Sequence, residues 1–392
     1  MITDLVGDEA AFRGAVRDWL ARTVRPGWVA ELAQADSSEF VRNQHWWMQQ
    51  KQLVGLAAPH LPAEFGGCNL ALAYQVIVAE EIAEARAPSS MLHTVSLNHV
   101  PATLLQWGSP AQKERYLPGI ARGVVWCQAF SEPTAGSDLA ALCARADRDG
   151  NTYVINGHKV WSSFSMYADY ALLLARTELS ERRHRGISYF ILDMHAPGVE
   201  VKPIKQANGR AKFGEIFLTD VRVRAEHRVG EEGQGWAIAQ STLKAERGVF
   251  AFEVAERMRI SLEDFYHSAL ECKASWLGDD ELRRAFVANL ATLQASRRLL
   301  RRLLKESEQE LPESERTAVL VKTVNSTLLK DIARFMLQTQ QIEGQRDRGG
   351  MDEILDDAMF RYIGAFGQTI GGGTNEIMRN IIAERHLGMP RL

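Results

Sequence analysis

Cysteine is scarce in this chain: four in 392 residues, Cys68, Cys127, Cys143 and Cys272. They lie far apart and form no Cys-x-x-Cys pair, so neither a disulfide framework nor a metal centre is expected. Long hydrophobic runs are missing too. No apolar stretch approaches the roughly 18 residues of a membrane-spanning helix, so no membrane span is expected. Nor is there an excess of positive charge: 46 Lys and Arg stand against 49 Asp and Glu, a net charge of -3. That balance argues against a nucleic-acid binder. The opening MITDLVGDEAAFRGAVRDWL lacks the basic-then-apolar order of a secretory signal, and a cytoplasmic protein is expected. The chain shows no internal repeat and no low-complexity segment.

What is present is the balance of a globular protein, 46% hydrophobic and 24% charged. Three textures follow one another. Residues 1–122 read as helical, with Phe12, Val16, Trp19 and Leu20 at helical spacing and a loop at Pro62 and Gly66-Gly67. Residues 123–232 read as strands. TYVINGHKVW is expected to be a hairpin turning at Asn156-Gly157; ADYALLLART and ISYFILDM are strand-length apolar runs; FGEIFLTDVRVRAEH is expected to hold two strands. Residues 233–392 return to helix, and Leu282, Phe286, Leu290, Leu293, Leu300 and Leu304 mark one face of a long one. The arginines beside them (Arg297, Arg298, Arg301 and Arg302) are expected to form a solvated face near a helical interface. The order predicts an α+β fold, with a small β-barrel or sandwich between two helical domains.

Three stretches could carry chemistry. WCQAFSEPTAGSDLAAL contains Ser131, Thr134, Gly136 and Ser137, donors suited to a cofactor or phosphate, although Pro133 and Gly136 equally suit an ordinary loop. In HKVWSSFS, Trp161 precedes Ser162 and Ser163. That pattern suits the flank of a flat heteroaromatic ring, and suits a core tryptophan just as well. In GEEGQGWAIAQSTLKAERGVFAFEVAERMR, the apolar stripe of Trp236, Ala239, Leu243, Phe250, Val254 and Met258 passes through Glu246. A carboxylate on an apolar stripe costs free energy unless it is paired or its pKa rises, and a raised-pKa carboxylate suits a general base. Pairing with Lys244 or Arg247 is the structural alternative. A fourth stretch, QTIGGGTNEIMRN, places three glycines before a helix start, as a close-approach backbone site or a plain connector.

Taken in order, QAFSEPTAGSDLAAL, GHKVWSS…ADYALLLART, FLTDVRVRAEHRVGEEGQGWAIA and TIGGGTNEIMRNIIAERHLG resemble the acyl-CoA dehydrogenase family of flavoproteins. LPAEFGG and WGSPAQKERYLPGIARG fit as well, so the resemblance covers nearly the whole chain. It implies an N-terminal helical domain, a middle β-domain and a C-terminal four-helix bundle, with FAD extended between the β-domain and the C-terminal helices. It implies FAD-dependent α,β-dehydrogenation of an acyl-CoA, or an acyl-carrier-protein thioester, with electrons leaving through an electron-transferring flavoprotein. Homodimers or homotetramers are usual in the family. By the same resemblance, Gln128, Phe130, Ser131, Gly136 and Ser137 wrap the flavin, with Ser137 shared by the substrate. Trp161, Ser162 and Ser163 flank it, with Ser163 near the hydride-accepting N5. Thr374, Asn375 and Glu376 meet the FAD, and Gly373, Lys244 and Arg247 line the acyl-CoA site.

The chain departs from the family pattern in two places. Many members carry the base directly before the Gly-Thr of the last motif, where this chain has Gly372. Another branch places it on the helix after the β-domain, directly before an Arg, and that position is Glu246. The resemblance and the apolar stripe therefore select the same residue. The Arg-x-x-Phe-Gly and Gln-x-x-Gly-Gly segments that reach a neighbouring subunit's FAD have no clear counterpart. A heterotetramer with a related chain is thus open. So are a flavin monooxygenase or oxidase on the same fold and a weakly catalytic subunit of a heteromeric dehydrogenase.

Overall fold

The computed structural model describes residues 2–28, 31, 35–245, 249–339 and 358–390. Helices α1 (Glu9–Thr23), α2 (Ser37–Leu53), α3 (Leu72–Glu84), α4 (Val100–Trp107) and α5 (Pro110–Ala121) come first. Strands β1 (Trp126–Ala129), β2 (Arg145–Asp149), β3 (Thr152–Ser163), β4 (Tyr170–Arg176), β5 (Ile187–Asp193), β6 (Val199–Ile204), β7 (Phe213–Arg224) and β8 (Arg228–Val229) follow. Helices α6 (Gly235–Ala245), α7 (Phe250–Glu271), α8 (Asp280–Glu308), α9 (Glu313–Thr339), α10 (Ala358–Ile370) and α11 (Asn375–Ile381) complete the α+β fold. The chain forms two compact units.

One unit gathers residues from 1–43, 70–89 and 247–392. Its bundle packs α7 on α8, α8 on α9 and α9 on α10, while α3 lies on α7 and α1 on α3. Helical spacing puts Leu293, Leu300 and Leu303 of α8 on one stripe, and they bury with Phe252, Met258, Leu262, Val321, Leu328, Ile332 and Met336. Each such side chain contributes about 1.5–3 kcal/mol on leaving water. The arginines of α8 flank that stripe as expected. Arg297 donates to Glu256 of α7 at 2.7 Å and Arg302 to Glu306 at 2.6 Å, while Arg298 and Arg301 face solvent.

The other unit gathers residues from 44–69 and 90–246. Its sheet runs β6-β7-β3-β2-β4-β5-β8, with β1 parallel to β4. This corrects the barrel expectation: the sheet is open. Closure would require its edge strands to pair, and β8 contributes only Arg228 and Val229. Tyr116, Leu117, Ile120, Trp126, Leu172, Leu174, Tyr189 and Ile238 share the core against one face.

Two further expectations are corrected. TYVINGHKVW is not a hairpin but one strand, β3, and FGEIFLTDVRVR is likewise one strand, β7. The turn falls earlier, at Gly150-Asn151, where Gly150 has φ +61°. Asn156 and Asp220 instead sit in facing irregularities of β3 and β7. The Asn156 amide donates to the Asp220 carboxylate at 3.0 Å, and the Asp220 N–H donates back to Asn156 Oδ1 at 2.9 Å. Gly157 is needed for close approach rather than for turning, because a Cβ there would lie 2.4 Å from Ala144 Cβ. Gly157→Ala is therefore expected to cost about 1–3 kcal/mol, readable in a urea melt.

Candidate active site

The flavin-motif residues of the β-domain come together through the backbone. β1 delivers Gln128 to the loop that starts at Phe130, and β3 passes beside it. Val160 N–H donates to Ser131 C=O at 2.9 Å, which sets Ser131 next to Trp161. A register shift between Lys159 and Ser162 breaks the alternation of β3 there. Trp161 sits in that bulge at φ +60°, a conformation uncommon for a residue with a large side chain. It is 59% exposed in a domain whose other large aromatics are mostly covered, and it touches Phe213 edge-on at 6.1 Å. The core-tryptophan reading is thereby excluded within this unit. Ser162, next along, is fully buried and its hydroxyl has no hydrogen-bond partner among the described residues. Ser163 is half-buried, and Gly136 and Ser137 are exposed on the loop.

Two residues absent from the sequence expectations hold this arrangement. Lys159 is completely buried; its Nζ donates to Glu132 Oε1 at 2.7 Å and to Phe130 C=O at 3.2 Å. Burial pulls the ammonium down to about 8, while Glu132 beside it pulls the other way. Glu132 also accepts from the N–H groups of Cys143, at 2.6 Å, and Ala144, at 2.9 Å. The sequence does carry a signal for Lys159. Read as one strand, Tyr153, Ile155, Gly157 and Lys159 alternate onto the same face, and the first two are plainly core residues.

Behind Phe130 the packing leads to α6. Phe130 meets Tyr189 edge-on at 5.6 Å. The Tyr189 hydroxyl lies 3.2 Å from Thr242 Oγ1, which is 2.7 Å from Thr103 Oγ1 of α4. Trp107 Nε1 donates to Ser241 Oγ at 2.9 Å. These contacts fix the last turn of α6, whose Lys244 is exposed. Glu246 follows α6 by one residue in sequence. It and Arg247 lie outside the described residues, as does the join between α6 and α7 where one helix was expected.

In the bundle unit, α10 ends and the chain reverses through Gly372 at φ +67° and Gly373 at φ +87°. These angles favour residues without a Cβ. Thr374 then caps α11, accepting from Ile377 N–H at 3.2 Å. Asn375 is buried. Its Oδ1 accepts from Lys322 Nζ and from Ser326 Oγ, each at 2.9 Å, and its amide donates to Thr327 Oγ1 at 3.3 Å. Lys322 Nζ also donates to Gly373 C=O at 2.5 Å. Glu376 is exposed and lies 3.5 Å from Arg379. The glycine run is therefore a pinned turn leading into a capped helix.

The β-domain half suits a flat cofactor: an exposed indole held at a bulge, a buried hydroxyl lacking a partner, and loop hydroxyls alongside. Family models reach the same place. The acyl-CoA dehydrogenase N-terminal domain matches residues 7–124, the middle domain 127–221 and the C-terminal domain 233–387. The chain belongs to the acyl-CoA dehydrogenase family, and as a member it is a flavoprotein oxidoreductase that uses FAD. Among its relatives is the acyl-CoA dehydrogenase IpdE1 of Mycobacterium tuberculosis, 35% identical over 390 residues and covered, like this chain, to 98%. A solved structure titled as the Tcur3481-Tcur3483 steroid ACAD superposes with a TM-score of 0.84 at 28% identity, covering 98% of each chain. The ChsE4-ChsE5 complex from Mycobacterium tuberculosis gives 0.81 at 28% identity, covering 99% of this chain and 98% of that one. Among the described residues no helix is long and apolar enough to cross a membrane, and no group of three or more His, Cys, Asp and Glu could hold a metal ion.

Proposed function

We propose that this protein converts an acyl-CoA thioester to its trans-2-enoyl-CoA, with Glu246 as the base that removes the α-proton. The observation that carries the flavin half of this reading is the exposed Trp161 at its left-handed bulge, followed by the unpartnered buried Ser162 hydroxyl. FAD, when bound, supplies the acceptor for the substrate's β-hydride. Gln128, Phe130, Ser131, Gly136 and Ser137 would hold it, together with Trp161, Ser162 and Ser163. Thr374, Asn375 and Glu376 form the C-terminal contact, Asn375 through the segment it pins. Gly373, Lys244, Arg247 and Ser137 line the substrate. By the family resemblance, a backbone N–H would steady the charge that develops on the thioester carbonyl as the α-proton leaves.

By the family resemblance Gly372 stands at the position that carries the base in many members, and it has no group that takes a proton. The base must come from elsewhere, and Glu246 is the carboxylate that both the apolar stripe and the alternative family branch select. The division into 1–122, 123–232 and 233–392 is our proposal for the domains, cytoplasm for the compartment, and an electron-transferring flavoprotein for the electron acceptor. A homodimer or homotetramer is our proposal for the assembly, with a heterotetramer with a related chain as its alternative, because the intersubunit FAD segments have no clear counterpart. The ChsE4-ChsE5 neighbour, titled as a complex of two named chains, supports that alternative.

The substrate we propose carries a branched or ring-bearing acyl group. Glycines at 371–373 leave out side-chain bulk in the proposed acyl site, and one structural neighbour is titled a steroid ACAD. Anaerobic mixing with straight, branched and ring-bearing acyl-CoAs, scored by bleaching of the flavin, is expected to show the fastest reduction with the bulky members. Preference for short straight chains would overturn this choice of substrate. Rapid oxygen consumption with a hydroxylated product would replace the dehydrogenase by an oxygenase.

A further inference from the structure

We propose that the buried Glu132–Lys159 pair is a positioning device that sets the two flavin segments of the β-domain, 128–137 and 161–163, into one geometry before FAD binds. The proposal rests on the flavoprotein reading above. Lys159 lies two residues before Trp161, on the strand that carries it. Its Nζ reaches Phe130 C=O and Glu132 Oε1 at once, so one side chain ties the strand to the flavin loop. Glu132 in turn gathers the N–H groups of Cys143 and Ala144, closing the loop on itself. From the other side, the Arg176 guanidinium donates to the carbonyls of Ala140, at 2.9 Å, and Leu142, at 3.3 Å. The loop that bears Ser131, Gly136 and Ser137 is therefore held at both ends by charged groups.

Stability alone does not account for the pair. Taking an ammonium and a carboxylate out of water costs more than an apolar pair of similar volume would, and such replacements are often neutral or stabilising. What an apolar pair cannot supply is a directed bond to Phe130 C=O and to the two loop N–H groups. Glu132 and Lys159 act through those backbone atoms, so they are positioning residues.

The test separates FAD affinity from stability. Apoprotein is prepared from wild type, Glu132→Gln, Lys159→Met and the double variant. Each is titrated with FAD by flavin fluorescence quenching, and its melting temperature is recorded. Each single variant leaves one buried group unmatched, and is expected both to melt earlier and to bind FAD roughly ten-fold more weakly or worse, a loss of about 1.4 kcal/mol. The double variant has no unmatched buried charge, so its melting temperature is expected to return towards wild type while its FAD affinity stays low. Recovery of FAD affinity together with stability would overturn the proposal, as would wild-type FAD affinity in a single variant. If a single variant fails to fold, the double variant still decides between these outcomes. A wild-type apoprotein that takes up no FAD would instead sink the flavoprotein reading, and this inference with it.

Discussion

Glu246→Gln is expected to retain its yellow FAD and to lose turnover by roughly 10²–10⁴-fold, the range for removing a general base. The amide has nearly the shape of the carboxylate but does not take up the α-proton. Binding of FAD, which the β-domain residues are proposed to dominate, should be unchanged when flavin per chain is measured after purification. Two independent considerations select Glu246. One is elimination, since the family resemblance puts Gly372 at the position that carries the base in many members. The other is sequence position: Glu246 falls on the apolar stripe of Trp236, Ala239, Leu243, Phe250, Val254 and Met258. Near-wild-type turnover in this variant would remove Glu246 as the base.

Asn375→Ala is expected to lower stability by about 2–4 kcal/mol, because buried donors that lose their acceptor are costly, more so when charged. The change leaves Ser326 without its Asn375 partner and leaves Lys322 with fewer acceptors at the glycine turn. The Gly372–Gly373 reversal would keep the Lys322 bond to Gly373 C=O. A thermal or urea melt reads the effect, and the same protein should show a raised KM if the turn lines the substrate. A loss below about 1 kcal/mol would mean that water or a neighbouring group replaces the amide within the bundle.

The helix–strand–helix order is legible in the sequence from apolar periodicity, and Leu293 and Leu300 of α8 are buried where their spacing puts them, with Leu303 buried and Leu304 only partly so. The turn-versus-strand error at Asn156-Gly157 has a physical cause. Asn-Gly is a strong hairpin signal in isolation, but Gly157 is there because Ala144, the residue just before β2, approaches it, a contact between residues thirteen apart that no local window sees. The β7 error is its mirror image, since Asp220 answers Asn156 across the strand pair. Trp161 stands out from its neighbours in the sequence, but its placement does not follow from them. Its exposure depends on a bulge set by the register of β3 against β7. The Lys159–Glu132 pair is half legible, in that alternation puts a lysine on a buried face. Its partner, 27 residues away, emerges only when the flavin loop folds back. Asn375 shows the reverse case. The family pattern offers it to FAD, while its side chain is already engaged by Lys322, Ser326 and Thr327.

The most direct test of the central claim is an anaerobic stopped-flow comparison of wild type and Glu246→Gln, each loaded with FAD and mixed with a ring-bearing acyl-CoA. With Glu246 as the base, the flavin bleaches in wild type and stays oxidised in the variant on the same timescale. Equal bleaching in both proteins would contradict that assignment.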